Sequence, residues 1–492
     1  VTAPSKRNPV PGRHVYDVIV FGGQLAGALA TALLARRGFH VLLVPHDGLS
    51  APYVHGDWRF PHLAFVMPPL REIPLLEEQL LALGVTTSVH RLVRAPPLQL
   101  IEPRRRFERS PDEAARAKEL KRALGAGAEA YDAAWKAAVE VSTASDPFFG
   151  AHPDLPPEGF LAAWRFKRML ANVEGLDQDT PLEAGAPLRA LLPWAAPVEN
   201  PGPLTRARAL GHLLDAPTVF PGGLEGLLTF VQERARELGA DVLMANEPVQ
   251  RLSFDGSTAA GVRLTRTETI YKAPLLVAAC DLNVLTTLVP EERQRAAEKP
   301  LRRVVAEQAL FTMNAVVPEK ALPRGLGELA LVQNEAFSGG AALLQVSPAR
   351  TAGDEDSPEH RILTVSVPAP TRLQAAGEPA IRAFMDTLWC ALDDLLPFTR
   401  ERVVLESTPW LDAEPVAAGR GEPWPLFHLP DDAWLGVSAL TTGSPWKHLL
   451  LANRQVLPGL GIEGEALAAG RVVKQIEAKL KKTDPLKARR PA

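Results

Sequence analysis

Residues 15–47, VYDVIVFGGQLAGALATALLARRGFHVLLVPHD, constrain the fold more than any other stretch of the chain. A buried, apolar strand at 16–21 runs into the glycine turn Gly22-Gly23-Gln24-Leu25-Ala26-Gly27. An alanine-rich helix continues to Arg37, Gly38 stops it, and a second apolar strand follows at 40–44. A β-α-β unit of this length binds the ADP half of a dinucleotide, with the pyrophosphate at the helix N-terminus. The turn has a strand before it and a helix after it, which is the context such a glycine motif requires.

The glycine spacing is incomplete, because the motif reads G-x-Q-x-x-G. Gly22 suits the tight turn, and Gly27 lets the helix approach the strand. The middle position needs a bare backbone so that a pyrophosphate can come close, and here it carries Gln24. An acidic residue that would hold a ribose hydroxyl belongs at the end of the second strand. Pro45 stands there, with Asp47 two residues further on.

Composition narrows the function classes. The 492 residues suffice for two or three domains or one discontinuous architecture. A hydrophobic content of 46% and a charged content of 23% are ordinary for a globular protein. The formal net charge of -3 gives no electrostatic footprint for nucleic acid. Cys280 and Cys390 are far apart, which argues against a disulfide framework and against a metal site. The opening VTAPSKRNPVPGRH has no apolar core of the kind a secretory signal needs, and the longest apolar stretch, 18–35, contains Gly22, Gly23 and Gln24. The expected location is cytoplasmic, with peripheral contact to the inner face of a membrane as an alternative.

Further along, a helix is expected over 73–83 and a strand pair over 93–107. Ser110-Pro111-Asp112-Glu113 reads as a capping box opening a long helical region to about residue 141. Between 146 and 216 the pattern is helical, broken by prolines, and rich in aromatics. There Trp164-Arg165-Phe166-Lys167-Arg168 combines bases with aromatics. It reads either as an interfacial membrane patch or, the preferred expectation, as a surface helix whose aromatics face the core. Phe220-Pro221-Gly222-Gly223 opens another helix, a hairpin turns at Asp255-Gly256, and 273–280 is a buried strand. The hairpin is expected to extend the first sheet. Alternating strands fill 301–434, with an amphipathic helix at 379–396. A last strand at 448–452 leads into Pro458-Gly459-Leu460-Gly461 and a final helix. His46, His62 and His448 read as ordinary, partly buried histidines, and no catalytic residue can be assigned from spacing.

Three blocks, VIVFGGQLAGALATALLARRG, FPGGLEGLLTFVQERARELGADV with its following hairpin and VAACD, and LLLANRQVLPGLGIEGEALAAGRV, lie at the beginning, middle and end of the chain. Together they resemble the phytoene desaturase (carotenoid oxidoreductase) branch of the flavin amine oxidase superfamily. The resemblance implies an α/β chain with a Rossmann-like FAD-binding domain assembled from discontinuous segments, plus an α+β substrate domain. The segments fall at 14–104, 217–300 and 435–480 for FAD and at 105–216 and 301–434 for substrate, with a basic tail at 481–492. It implies FAD as cofactor and an apolar, isoprenoid-like substrate oxidised by hydride transfer to flavin. Gly22, Gly23 and Gly27 would then face the pyrophosphate, with Gln24 beside them. The backbone of Val249 would meet the adenine, and the amides of Pro458-Gly459-Leu460-Gly461 would approach the flavin ring and ribityl chain.

The departures fall on cofactor contacts: Gln24, Pro45, Ala51-Pro52 and Ala452-Asn453. Each lost charged hydrogen bond removes on the order of 1.5–3 kcal/mol, so several together imply weakened or lost FAD. Two readings therefore stand side by side. One is a FAD-dependent oxidoreductase. The other is a cofactor-free pseudo-oxidoreductase acting as a binding or partner subunit, its cofactor cleft filled by its own side chains.

Overall fold

The computed structural model describes residues 14–46, 52–65, 73–84, 93–94, 96–109, 112–153, 155–157, 159–170, 189–214, 218–243, 247–418, 424–429 and 436–481. Asp47 and Ala51 lie outside this set, as do Ser110 and Pro111 and the tail beyond 481.

A parallel sheet runs in the order Leu449–Leu451, Leu275–Ala278, Val18–Phe21, Val41–Val44 and Asp241–Val242. Its neighbours come from the end, middle and beginning of the chain, so the discontinuous α/β assembly expected from the sequence is what forms. The Val18–Phe21, Val41–Val44 and Leu275–Ala278 strands are buried at every position. Such unbroken apolar runs suit strands covered on both faces. The first helix, Leu25–Arg36, is buried from Leu25 to Ala35 and packs against both the Gly223–Glu237 helix and the final helix, Gly461–Leu480. Its alanines keep it slim enough to be enclosed on all sides.

The expected hairpin is present, Val249–Asp255 with Thr258–Leu264, but it does not extend this sheet. With Ile270–Lys272 it forms a separate antiparallel sheet. The reason is visible in its burial: in Val249–Asp255 only Val249 and Leu252 are buried, while Gln250, Arg251 and Asp255 are exposed, so it cannot be covered on both faces. Only Leu275–Ala278, apolar on both faces, enters the parallel layer.

A sheet of ten strands forms the second layer. Its centre is Gln308–Pro318, Asp356–Pro370, Ala341–Thr351 and Leu329–Gln333. Leu98–Glu102 continues it in parallel beside Leu329–Gln333, and Trp58–Phe60 pairs with the end of Ala341–Thr351. The Glu378–Leu392 helix buries Ile381, Met385, Leu388 and Leu392, as its amphipathic pattern implies, together with Trp389, while Phe384, expected on the same side, is only partly buried.

The helical region departs from its sequence reading in two places. Its N-cap is Asp112, whose carboxylate accepts from the Ala115 amide at 2.7 Å. It is two helices, Glu113–Leu124 and Gly127–Gly150, because Gly125 adopts a φ of 54° that ends the first. Among the described residues, no helix is long and apolar enough to cross a membrane, and no group of His, Cys, Asp and Glu could hold a metal ion.

Candidate functional site

In an open parallel sheet, ligands bind in the crevice beyond the carboxyl ends of the strands. Three ends meet here: Gly22-Gly23-Gln24 after Val18–Phe21, Ala279-Cys280-Asp281 after Leu275–Ala278, and Ala452 to Gln455 after Leu449–Leu451. Gly22 takes a φ of +119°, and a Cβ on it would lie 2.2 Å from the Ala279 carbonyl oxygen. A Cβ is already present within Gly27's reach: one added there would sit 2.3 Å from the Ala279 Cβ. Both glycines are required by the approach of turn and helix to the neighbouring strand, whatever lies in the crevice.

Side chains join the three ends to one another. The Gln24 amide nitrogen donates to Asp281 Oδ1 at 2.8 Å, and its carbonyl oxygen accepts from the Arg454 backbone amide at 2.8 Å. The Arg454 guanidinium pairs with the Asp281 carboxylate, Nη2 to Oδ2 at 2.5 Å and Nε to Oδ1 at 3.1 Å. Asn453 donates to the Cys280 carbonyl at 2.7 Å, and Gln455 accepts from the Leu282 amide at 2.6 Å. Every one of these groups is buried.

The N-terminus of the first helix is occupied as well. Glu465, in the second turn of the final helix and 4% exposed, accepts from the Ala26 amide at 3.0 Å and also from the Leu25 amide. Unpaired amides and the positive end of the helix dipole make this spot an anion site. The anion here is the protein's own carboxylate. Burial pushes that carboxyl up to about 7, against the opposing pull of the Ala26 amide and of Arg454.

Beside this cluster lies a cavity of about 970 Å³. Gly23, Gln24, Leu25, Arg454 and Glu465 are among the residues that line it. Its lining includes the apolar side chains of Phe60, Leu63, Leu98, Leu224, Leu329 and Trp424, and Arg59, Arg350 and Arg361 with the acidic Asp354 and Asp356. Of these charges, Arg59 pairs with Asp354 at 2.8 Å and Arg350 with Asp356 at 3.1 Å, while Arg361 pairs at 2.9 Å with Glu319, which is not among the lining residues. Glu225 stands in the cavity wall in the first turn of the Gly223–Glu237 helix. Burial raises its carboxyl to about 7, offset by a hydrogen bond from the His62 backbone amide and by Arg59.

Of the residues singled out in the sequence, Gly23, Gln24, Pro52 and His62 line this cavity, and Gly22 and Gly27 shape the turn after the first strand. Pro458, Gly459, Leu460 and Gly461 are buried and are not among the lining residues. A Cβ on Gly461 would lie 2.3 Å from the Ala195 carbonyl, and one on Gly459 2.6 Å from the Val437 Cα. Protein backbone fills the space those glycines leave. Val249 pairs with Leu264 inside the core, and Pro45 is buried after the second strand. Sequence reasoning passed over Glu465, Arg454, Asp281 and Glu225. The one signal for Glu465 was a lone acid in the otherwise small and apolar run Gly464 to Gly470.

No family model matches the chain, and no curated protein matches it in sequence. Solved structures do match in shape over nearly the whole length. An oxidoreductase from Methanosarcina mazei aligns with a TM-score of 0.55 at 13% identity, covering 93% of this chain and 99% of that one. Cyclohexylamine oxidase from Brevibacterium oxydans aligns at 0.53 and 15%, covering 95% and 99%. A putrescine oxidase redesigned in its cofactor binding aligns at 0.53 and 17%, covering 94% and 99%. At these identities the likeness is one of architecture: the chain has the fold that these oxidoreductase structures share.

Proposed function

We propose that this chain is a cofactor-independent member of that architecture, a binding or partner subunit whose dinucleotide crevice is closed by its own side chains. The observation that carries the reading is the Glu465 carboxylate on the Ala26 amide. A pyrophosphate would need the same amides and would bring further negative charge against a buried carboxyl. Gln24 adds to the exclusion, since its side chain spans from Asp281 to Arg454 across the place a bare backbone would leave open. The residues present at the phosphate position therefore do not fit FAD, and no chemical step is derived through it.

What the fold offers a ligand is the cavity. Its volume is at the upper end of small-molecule pockets, and its apolar lining side chains suit an apolar, isoprenoid-like molecule. Glu225 provides a hydrogen-bonding group for a donor on that molecule. The three sequence blocks favour descent from the phytoene desaturase branch. A second reading, a FAD-dependent oxidoreductase acting on an apolar substrate, is favoured by the shape shared with the amine oxidases and by the intact turn at Gly22. It requires Glu465 to leave the helix terminus.

The test is a calorimetric titration of FAD and of ADP into the wild-type protein, Glu465→Ala, and Glu465→Ala with Gln24→Gly. We expect no binding by the wild type and measurable binding by the double variant. Freeing charged contacts of about 1.5–3 kcal/mol should tighten affinity by at least roughly tenfold. Wild-type binding as tight as the double variant's would overturn the proposal.

A further inference from the structure

The helix Phe160–Leu170 carries bases at Arg165, Lys167 and Arg168 and contains no acidic residue. Its Phe160 is 84% exposed, Leu161 69% and Trp164 51%. Arg165, Lys167 and Arg168 are exposed too, whereas Phe166 is buried and stacks edge-on against Phe148 with ring centroids 5.5 Å apart. The preferred sequence expectation, aromatics facing the core, therefore holds for Phe166 and fails for Phe160 and Trp164. Helical geometry explains the split. At 3.6 residues per turn, Lys167, Phe160, Trp164, Arg168, Leu161 and Arg165 fall in that order within an arc of about 160°, with Phe166 on the other side. Arg168 also lies over the Trp164 ring, 5.7 Å from its centroid.

We infer that this face docks on an anionic lipid surface. Two large aromatics and a leucine supply apolar area for the acyl boundary, where Trp is favoured at headgroup depth. Three interleaved bases reach lipid phosphates from the same face, their stems lying along the apolar side chains. Three exposed bases with no acid in the helix leave this face net positive, which an anionic headgroup layer complements across its whole width. The inference is independent of the cofactor site: Phe160, Leu161 and Trp164 are not among the residues lining the cavity.

The experiment is co-sedimentation of the full chain with unilamellar vesicles of phosphatidylcholine alone and of phosphatidylcholine with phosphatidylserine. Binding is expected to the phosphatidylserine vesicles and should fall as salt is raised. Arg165→Gln with Lys167→Gln and Arg168→Gln should weaken it by roughly a hundredfold, at about fivefold per base. Phe160→Ser with Trp164→Ser should abolish it. Both variants replace exposed side chains, so their melting temperatures should match the wild type's, which separates lost docking from lost folding. Equal binding to both vesicle types, binding to neither, or full binding by the triple variant would each overturn the assignment. So would a concentration-dependent dimer that Trp164→Ser dissociates, because the face would then belong to a second copy of the chain.

Discussion

Glu465 and Glu225 are both carboxyls that burial lifts from 4.5 to about 7, and this has a consequence for stability. Between those two values the folded protein holds protons that the unfolded chain releases. Stability must therefore decline as pH rises through the window, with the full penalty present above about 7. The shift corresponds to an upper bound on the order of 3 kcal/mol for Glu465, and to less for Glu225, which faces an open cavity. Wild-type protein should melt higher at about pH 5.5 than at about pH 8, and Glu465→Gln, which keeps an acceptor for Ala26, should flatten the difference. Thermal denaturation at the two values checks this; a wild-type melting temperature that rises across the window would contradict it. At the same scale Gln24 shows where sequence reasoning ended. The sequence indicates that this side chain obstructs a phosphate. Its partners, Asp281 and Arg454, are 257 and 430 residues away and depend on how three strand ends converge.

The final helix draws two buried glutamates into different unions, and so ties distant elements together. Glu465 caps the first helix, while Glu463 receives Arg208 from the Pro203–Leu214 helix through Nε at 2.8 Å and Nη2 at 2.5 Å. Arg208 also donates to the Ser142 carbonyl at 2.9 Å, to the Ser145 hydroxyl and to Asp146 at 3.0 Å, all in the Gly127–Gly150 helix. Arg208→Ala would strand Glu463 without its counter-charge and should cost about 3–5 kcal/mol in chemical denaturation. Arg208→Met combined with Glu463→Leu should recover most of that loss, since breaking a buried pair is worse than replacing it. A single variant as stable as wild type would show that the pair contributes nothing. Elements were legible where one signal sufficed. The β-α-β unit announced itself through apolar runs around glycines, and the hairpin through Asp255-Gly256. The sheet that hairpin joins was not legible, because a period of two identifies a strand without naming its partner. At the Pro458 to Gly461 loop a bare backbone admits a phosphate or another backbone equally, and the glycine Cα atoms there lie against Ala195 and Val437.

Across the whole molecule, the architecture is one shared with solved oxidoreductases, and the amides at the start of the first helix are met by Glu465. A fold does not carry its chemistry with it, because chemistry resides in a few side chains grafted on a scaffold that many sequences can build. In the proposed reading the crevice is held by the chain's own groups: Gln24, Glu465 and the Asp281–Arg454 pair. The most direct test is to saturate the purified wild-type protein with FAD, desalt it, and record its visible spectrum beside its melting temperature with and without FAD. The account predicts no retained flavin band and no thermal shift. A retained flavin band, or a stabilisation approaching the roughly 2.7 kcal/mol that a ligand at a hundredfold over its dissociation constant confers, would contradict it.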